Sequence, residues 1–128
     1  MNARSPGELG KLFATRFASG DLPGLTALYE TGALMPTNYG TAVGADRIRE
    51  VLQGYINSGA SLKFTRTIAF EAGDVALIHN ESTMQLAGGK QLGGVTAEVA
   101  RRQPDGTWRY LINSPDGAAL LAGSGPET

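Results

Sequence analysis

Val75-Ala76-Leu77-Ile78-His79-Asn80-Glu81-Ser82-Thr83-Met84-Gln85-Leu86 lies between two turn-forming stretches, Ala72-Gly73-Asp74 and Ala87-Gly88-Gly89-Lys90. An apolar and β-branched run between such breakers predicts a long β-strand. The period of two continues on both sides. Upstream, Leu62, Phe64, Arg66, Ile68 and Phe70 alternate with Lys63, Thr65, Thr67 and Ala69, though less cleanly. Downstream, Gly94–Gln103 and Thr107–Asn113 are two further strands separated by the turn Pro104-Asp105-Gly106, and Pro115 follows the last. Four strands joined by tight turns predict an antiparallel meander.

Ahead of the meander the period is helical. Ser5-Pro6-Gly7-Glu8 has the form of a capping box with proline at the first helical position. Leu9, Leu12, Phe13 and Phe17 then make one apolar stripe, which Gly20 ends. Asp21 is the expected cap of a short second helix carrying Leu22, Leu25, Leu28 and Tyr29. Ala33-Leu34-Met35-Pro36 reads as a short strand closed by proline, and Thr37–Gly44 as a loop. Asp46 opens a third helix, in which Ile48, Val51, Leu52, Tyr55 and Ile56 fall at i, i+3, i+4, i+7 and i+8. Its buried face is expected to hold Ile48, Leu52 and Tyr55, and Asn57-Ser58-Gly59 ends it. Helices segregated from antiparallel strands give an α+β fold.

With 128 residues the chain has the length of one domain, 1–128, and residues 117–128 are expected to fray. Eleven basic and twelve acidic side chains leave a net charge of -1, which argues against a nucleic-acid partner. Cysteine is absent and histidine occurs once, so no thiolate or histidine-rich metal site is expected, and no cofactor. No apolar run approaches the ~20 residues that span a bilayer, and the polar start does not read as a signal peptide. No membrane partner and a cytoplasmic location are therefore expected. Asn80-Glu81-Ser82 matches a glycosylation sequon, read here as coincidence.

Gly88-Gly89-Lys90 lacks the spacing of a phosphate loop and is read as a turn. His79, the single histidine, stands two residues from Glu81, so the two share a strand face with Val75, Leu77 and Thr83. The opposite face carries Ala76, Ile78, Asn80 and Ser82. An imidazole beside a carboxylate suits proton transfer if that face lines a cavity, and is merely solvated if the face is outward. Glu98 is the lone charge in Val95-Thr96-Ala97-Glu98-Val99-Ala100, either buried and functional or outward. Asn113 ends the last strand, where alternation groups it with Arg109 and Leu111, opposite Trp108, Tyr110 and Ile112.

The order of these elements, with Gly20-Asp21-Leu22, Ala27-Leu28-Tyr29, Val43-Gly44-Ala45-Asp46-Arg47-Ile48-Arg49 and Asp105-Gly106-Thr107-Trp108-Arg109-Tyr110, resembles one family. It is the SnoaL-like or ketosteroid-isomerase-like branch of the nuclear-transport-factor-2-like superfamily, over about Leu9 to Pro115. The resemblance implies a cone, a curved sheet wrapped around helices with a cavity at its open end. It implies acid–base chemistry without a cofactor, of isomerase, cyclase or dehydratase type, on a small organic molecule, or else a non-catalytic module that binds such a ligand or dimerises.

It also places His79, Glu81 and Glu98 as catalytic residues on the cavity side, with Leu77, Leu111 and Asn113. Phe13, Phe17, Thr37, Leu52 and Tyr55 complete the ligand-binding set. Phe13 stands where ketosteroid isomerase has its tyrosine and Thr37 where it has its base. Neither can serve, so that enzyme's own mechanism, a worked case of pKa tuning, is not expected here. Family members are commonly homodimers through the sheet. Helices cover one sheet face only, and Ala76, Ile78, Trp108, Tyr110 and Ile112 on the other predict such a dimer.

Overall fold

The computed structural model describes residues 2–37 and 39–115. Three helices, α1 (Pro6–Ala18), α2 (Leu22–Thr26) and α3 (Ala45–Asn57), are interleaved with β1 (Tyr29–Thr37) and β2 (Gly40–Val43). Then come β3 (Ser61–Ala72), β4 (Val75–Gln85), β5 (Gln91–Arg102) and β6 (Trp108–Ser114). One six-stranded sheet has the order β2-β1-β6-β5-β4-β3. It is antiparallel except where β1 runs parallel to β6. The meander is as expected. The segment expected as a loop instead forms β2, hydrogen-bonded to β1, and β1 is longer than the four residues expected of it. The expectation for 117–128 lies outside the described residues.

Local chemistry explains the element ends. Asp21 caps α2 by accepting the Gly24 N–H at 2.9 Å. Ser5 makes no side-chain cap; the Glu8 carboxylate instead accepts the Arg4 N–H at 3.1 Å. Gly73 takes φ 62°, a left-handed turn conformation that a β-branched residue would resist, and joins β3 to β4. Asp105 accepts both the N–H and the hydroxyl of Thr107, closing the β5–β6 turn.

The helices lie on one sheet face. Leu9, Phe13 and Phe17 of α1, with Ile48 and Leu52 of α3, are buried against Ala76 and Ile78 of β4 and Tyr110 of β6 in one core. Phe13 meets the Tyr110 ring edge-on at 6.5 Å and the Phe64 ring at 6.3 Å. The inner face of β4 is thus Ala76, Ile78 and Asn80, and Leu77 faces outward, 42% exposed. This reverses the expected assignment of the two faces. Ala76, Ile78, Trp108 and Tyr110 are core residues, not a dimer face.

Two one-residue irregularities decide the remaining directions. In β3 the register shifts between Phe64 and Arg66, leaving Thr65 unpaired. Leu62 and Phe64 therefore pack inward, whereas Ile68 and Phe70 are exposed on the outside. In β6, Tyr110 pairs with Ala100 but Ile112 with Val99, so Leu111 is the extra residue. Beyond it Asn113 returns to the inner side, opposite Glu98. A bulge of this kind moves every following side chain to the other face.

Candidate functional site

Between α1, α3 and the inner sheet face lies a cavity of about 130 Å³. Phe13 and Phe17 of α1 and Leu52 and Tyr55 of α3 form its upper wall. Met35, Leu62, Phe64 and Met84 line it from the sheet. Ser82, Thr96, Glu98, Tyr110 and Asn113 are polar residues of the lining. For scale, a cavity of ~150 Å³ lined by apolar side chains holds benzene, so this one matches a single ring or a short chain.

Glu98 is the one carboxyl in the described lining. It is 2% exposed on β5, among aromatic and aliphatic neighbours that cannot solvate a charge. Desolvation pushes its carboxyl up to about 7, against the opposing influence of Thr96 and Asn80. Asn80 Nδ2 donates to Glu98 Oε1 at 2.5 Å. Among the described residues Glu98 Oε2 has no partner at hydrogen-bond geometry, nor have the buried Thr96 Oγ1 and Tyr29 Oη; the Thr96 hydroxyl stands near enough to the carboxyl to favour its ionised form without closing such a bond. Burial, and then the Glu98 carboxyl, push the Tyr29 phenol up. The Tyr110 phenol is raised by burial, then by Glu98 and Tyr29. The two tyrosine rings lie 5.2 Å apart.

The structure thus brings Phe13, Phe17, Leu52, Tyr55, Glu98 and Asn113 to one cavity. It does not bring the other expected site residues there. His79 sits on the outer face, half-buried between Ile68 of β3 and Ala97 of β5. Glu81, also outward, accepts from the Thr65 hydroxyl at 2.8 Å. Leu77 is outward as well. Leu111 occupies the bulge and is not in the lining. Thr37 closes the β1–β2 turn, donating to the Gly40 carbonyl at 2.7 Å and accepting the Tyr39 N–H at 3.2 Å. The physical reason is parity: Ile78 pairs with Glu98, and His79 with Ala97. His79 and Glu98 therefore face opposite ways.

Asn80, Tyr29 and Tyr110 were missed as site residues. The signal for Asn80 was an amide set at the same parity as Ala76 and Ile78. Its burial, at 1% exposed, also removes the sequon from reach. Among the described residues no cluster of three or more His, Cys, Asp or Glu side chains is placed to hold a metal ion. No helix among them is long and apolar enough to cross a membrane.

A carboxyl raised toward neutrality, in a largely apolar cavity, can both give and take a proton. The Tyr110 phenol and the Asn113 amide add donors that a ligand oxygen would meet.

No protein-family model matches the sequence, and no curated protein matches it. Solved structures do match in shape. One is a nuclear-transport-factor-2-like protein with a cystatin-like fold from Novosphingobium aromaticivorans. It is 22% identical, with 89% of this chain and 83% of that one covered, at a TM-score of 0.70. The fold is nuclear-transport-factor-2-like. Two other solved structures of similar shape carry names that point to chemistry. One is a proposed dehydratase from Streptomyces avermitilis, 18% identical over 84% of this chain and 89% of that one, TM-score 0.72. The other is a proposed ketosteroid isomerase from Shewanella frigidimarina, 14% identical over 84% and 91%, TM-score 0.71.

Proposed function

We propose that this protein binds a small oxygenated organic molecule in the cone and moves a proton on it with Glu98, in isomerase or dehydratase chemistry that needs no cofactor. One observation carries the reading: the single carboxyl of the described lining, raised to about 7 by burial, stands in an otherwise largely apolar cavity. The names of the dehydratase and isomerase cones agree with it.

In the simplest case the Glu98 carboxylate takes a proton from the carbon next to a ligand carbonyl. The C–H electron pair becomes the enolate double bond, and the carbonyl oxygen takes up the negative charge. Tyr110 and Asn113 are the donors available to that oxygen. Protonated Glu98 then returns a proton to carbon.

The test uses cyclohexanone, a ring ketone of suitable size, in deuterated buffer. Proton NMR follows exchange at the carbons beside the carbonyl. Exchange above the buffer rate, lost in Glu98→Gln, is the expected result. Binding without exchange would favour a non-catalytic ligand-binding module. That second reading is itself favoured by one observation: Glu98 is the one carboxyl in the described lining. Neither binding nor exchange, across small ring ketones and alcohols, would overturn both.

We also infer that the outer sheet face is covered by a second copy of the chain. Ile68, Phe70, Leu77 and Val95 are 42–62% exposed there on three adjacent strands, a larger apolar patch than monomers usually leave open. Arg66 opposite Glu81, and Arg101 bonded to Glu30, edge the patch with both signs of charge, which suits a self-complementary twofold contact. Light scattering is expected to give a dimer mass, and Leu77→Asp a folded monomer. A concentration-independent monomer mass for the unmodified chain would reject the dimer.

A further inference from the structure

A hydrogen-bond chain crosses three strands, from Thr67 on the exposed strand β3 to the buried Asn80 and Glu98. Thr67 of β3 donates through Oγ1 to Asn80 Oδ1 at 2.5 Å, and Asn80 of β4 donates through Nδ2 to Glu98 Oε1 of β5, also at 2.5 Å. Asn80 does not line the cavity. Helix α1 covers it through Gly10, where a Cβ would stand 3.5 Å from Asn80 Oδ1. A buried amide spends its hydrogen-bonding capacity on specific partners, and here both partners are polar side chains and one is the proposed acid–base group.

We propose that Asn80, oriented by Thr67, is a positioning residue that holds Oε1 of Glu98 as an acceptor and so leaves Oε2 as the atom that carries the transferable proton. The inference deepens the acid–base reading of Glu98 and rests on it. When Glu98 is ionised, one amide orientation satisfies the chain: hydroxyl to Oδ1, and Nδ2 to Oε1. Turning the amide over would set Oδ1 against the carboxylate, lone pair on lone pair. A proton on Oε2 leaves the chain intact, whereas a proton on Oε1 displaces the amide donor. Oε2 is also the oxygen with no partner at hydrogen-bond geometry among the described residues.

The other groups that act on Glu98 are Thr96 of its own strand, Tyr29 of β1 and Tyr110 of β6. From the helices the cavity receives Phe13, Phe17, Leu52 and Tyr55, none of them charged near neutrality. Asn80 is thus, among the described residues, the one amide bonded to the carboxyl, and its removal takes away a donor that favours the ionised form.

The test is a carbon-13 NMR titration of the Glu98 side-chain carboxyl in the unmodified protein, in Asn80→Leu and in Thr67→Val. In Asn80→Leu the midpoint is expected to move up by about one pH unit, the scale of one lost hydrogen bond to an ionised acceptor. Thr67→Val, which frees the amide to turn, is expected to move it in the same direction by less. The pH profile of cyclohexanone exchange should shift with the midpoint. A merely structural Asn80 would lower stability and leave the midpoint in place, and an unmoved midpoint in both variants overturns the proposal. If Asn80→Leu does not fold, Thr67→Val decides alone. A moved midpoint without ketone exchange in the unmodified protein upholds the positioning of Glu98 and removes its catalytic use. Exchange with an unmoved midpoint does the reverse.

Discussion

Replacing Glu98 by glutamine should change how stability depends on pH more than it changes the fold. In the unfolded chain this carboxyl has the ordinary value of 4.5, and in the folded protein burial raises it to about 7. Between those values the folded state holds a proton that the unfolded state has released. Stability therefore falls as pH rises across that window and levels off above it. At about 1.4 kcal/mol per pH unit, the span from 4.5 to about 7 sets the loss at ~3 kcal/mol.

That is a large share of the roughly 5–15 kcal/mol that holds a domain folded. Urea unfolding at pH 5, 6, 7 and 8 measures it, followed by the fluorescence of Trp108, the chain's single and buried tryptophan. Every other ionisable side chain is common to both proteins, so the difference between the unmodified chain and Glu98→Gln isolates Glu98. The unmodified protein should lose stability relative to the variant between pH 5 and 8. A difference independent of pH would refute the claim that Glu98 is buried without full compensation.

Leu52→Ala removes a side chain that is 3% exposed between the core and the cavity. It should cost about 2–5 kcal/mol, measured by the same urea titration, and should enlarge the cavity enough to improve binding of a ring larger than cyclohexanone. His79→Ala and Glu81→Gln, both on the outer face, should leave cyclohexanone exchange within about twofold of the unmodified rate, whereas loss of exchange would return those residues to the site. Asp21→Ala should cost about 1 kcal/mol through loss of the α2 cap, read as a shift in the urea midpoint at constant slope.

The division between sequence and tertiary structure follows from the range of each signal. Helices α1 and α3 and the meander were legible, because a period of 3.6 or 2 and a glycine turn are local properties of ten or so residues. The α2 cap at Asp21 was legible for the same reason. So were the buried helix faces that carry Phe13, Phe17, Leu52 and Tyr55, whose stripes have only one core to meet, while the place of these residues at a cavity came from the resemblance. Strand β2 was not legible: Gly40–Val43 carries little propensity of its own and is ordered by pairing with β1. The inward face of β4 was assigned the wrong way round: Val75, Leu77 and His79 alternate with Ala76, Ile78 and Asn80, both sets contain apolar residues, and the resemblance chose the outer set. Only the packing of α1 and α3 chose between them, which placed Asn80 in the core and His79 outside. Single unpaired residues did the rest. Thr65 turned Ile68 and Phe70 outward, and Leu111 turned Asn113 inward toward Glu98. A bulge has no signature in local composition, because it relieves a mismatch between two strands that meet only in the folded sheet.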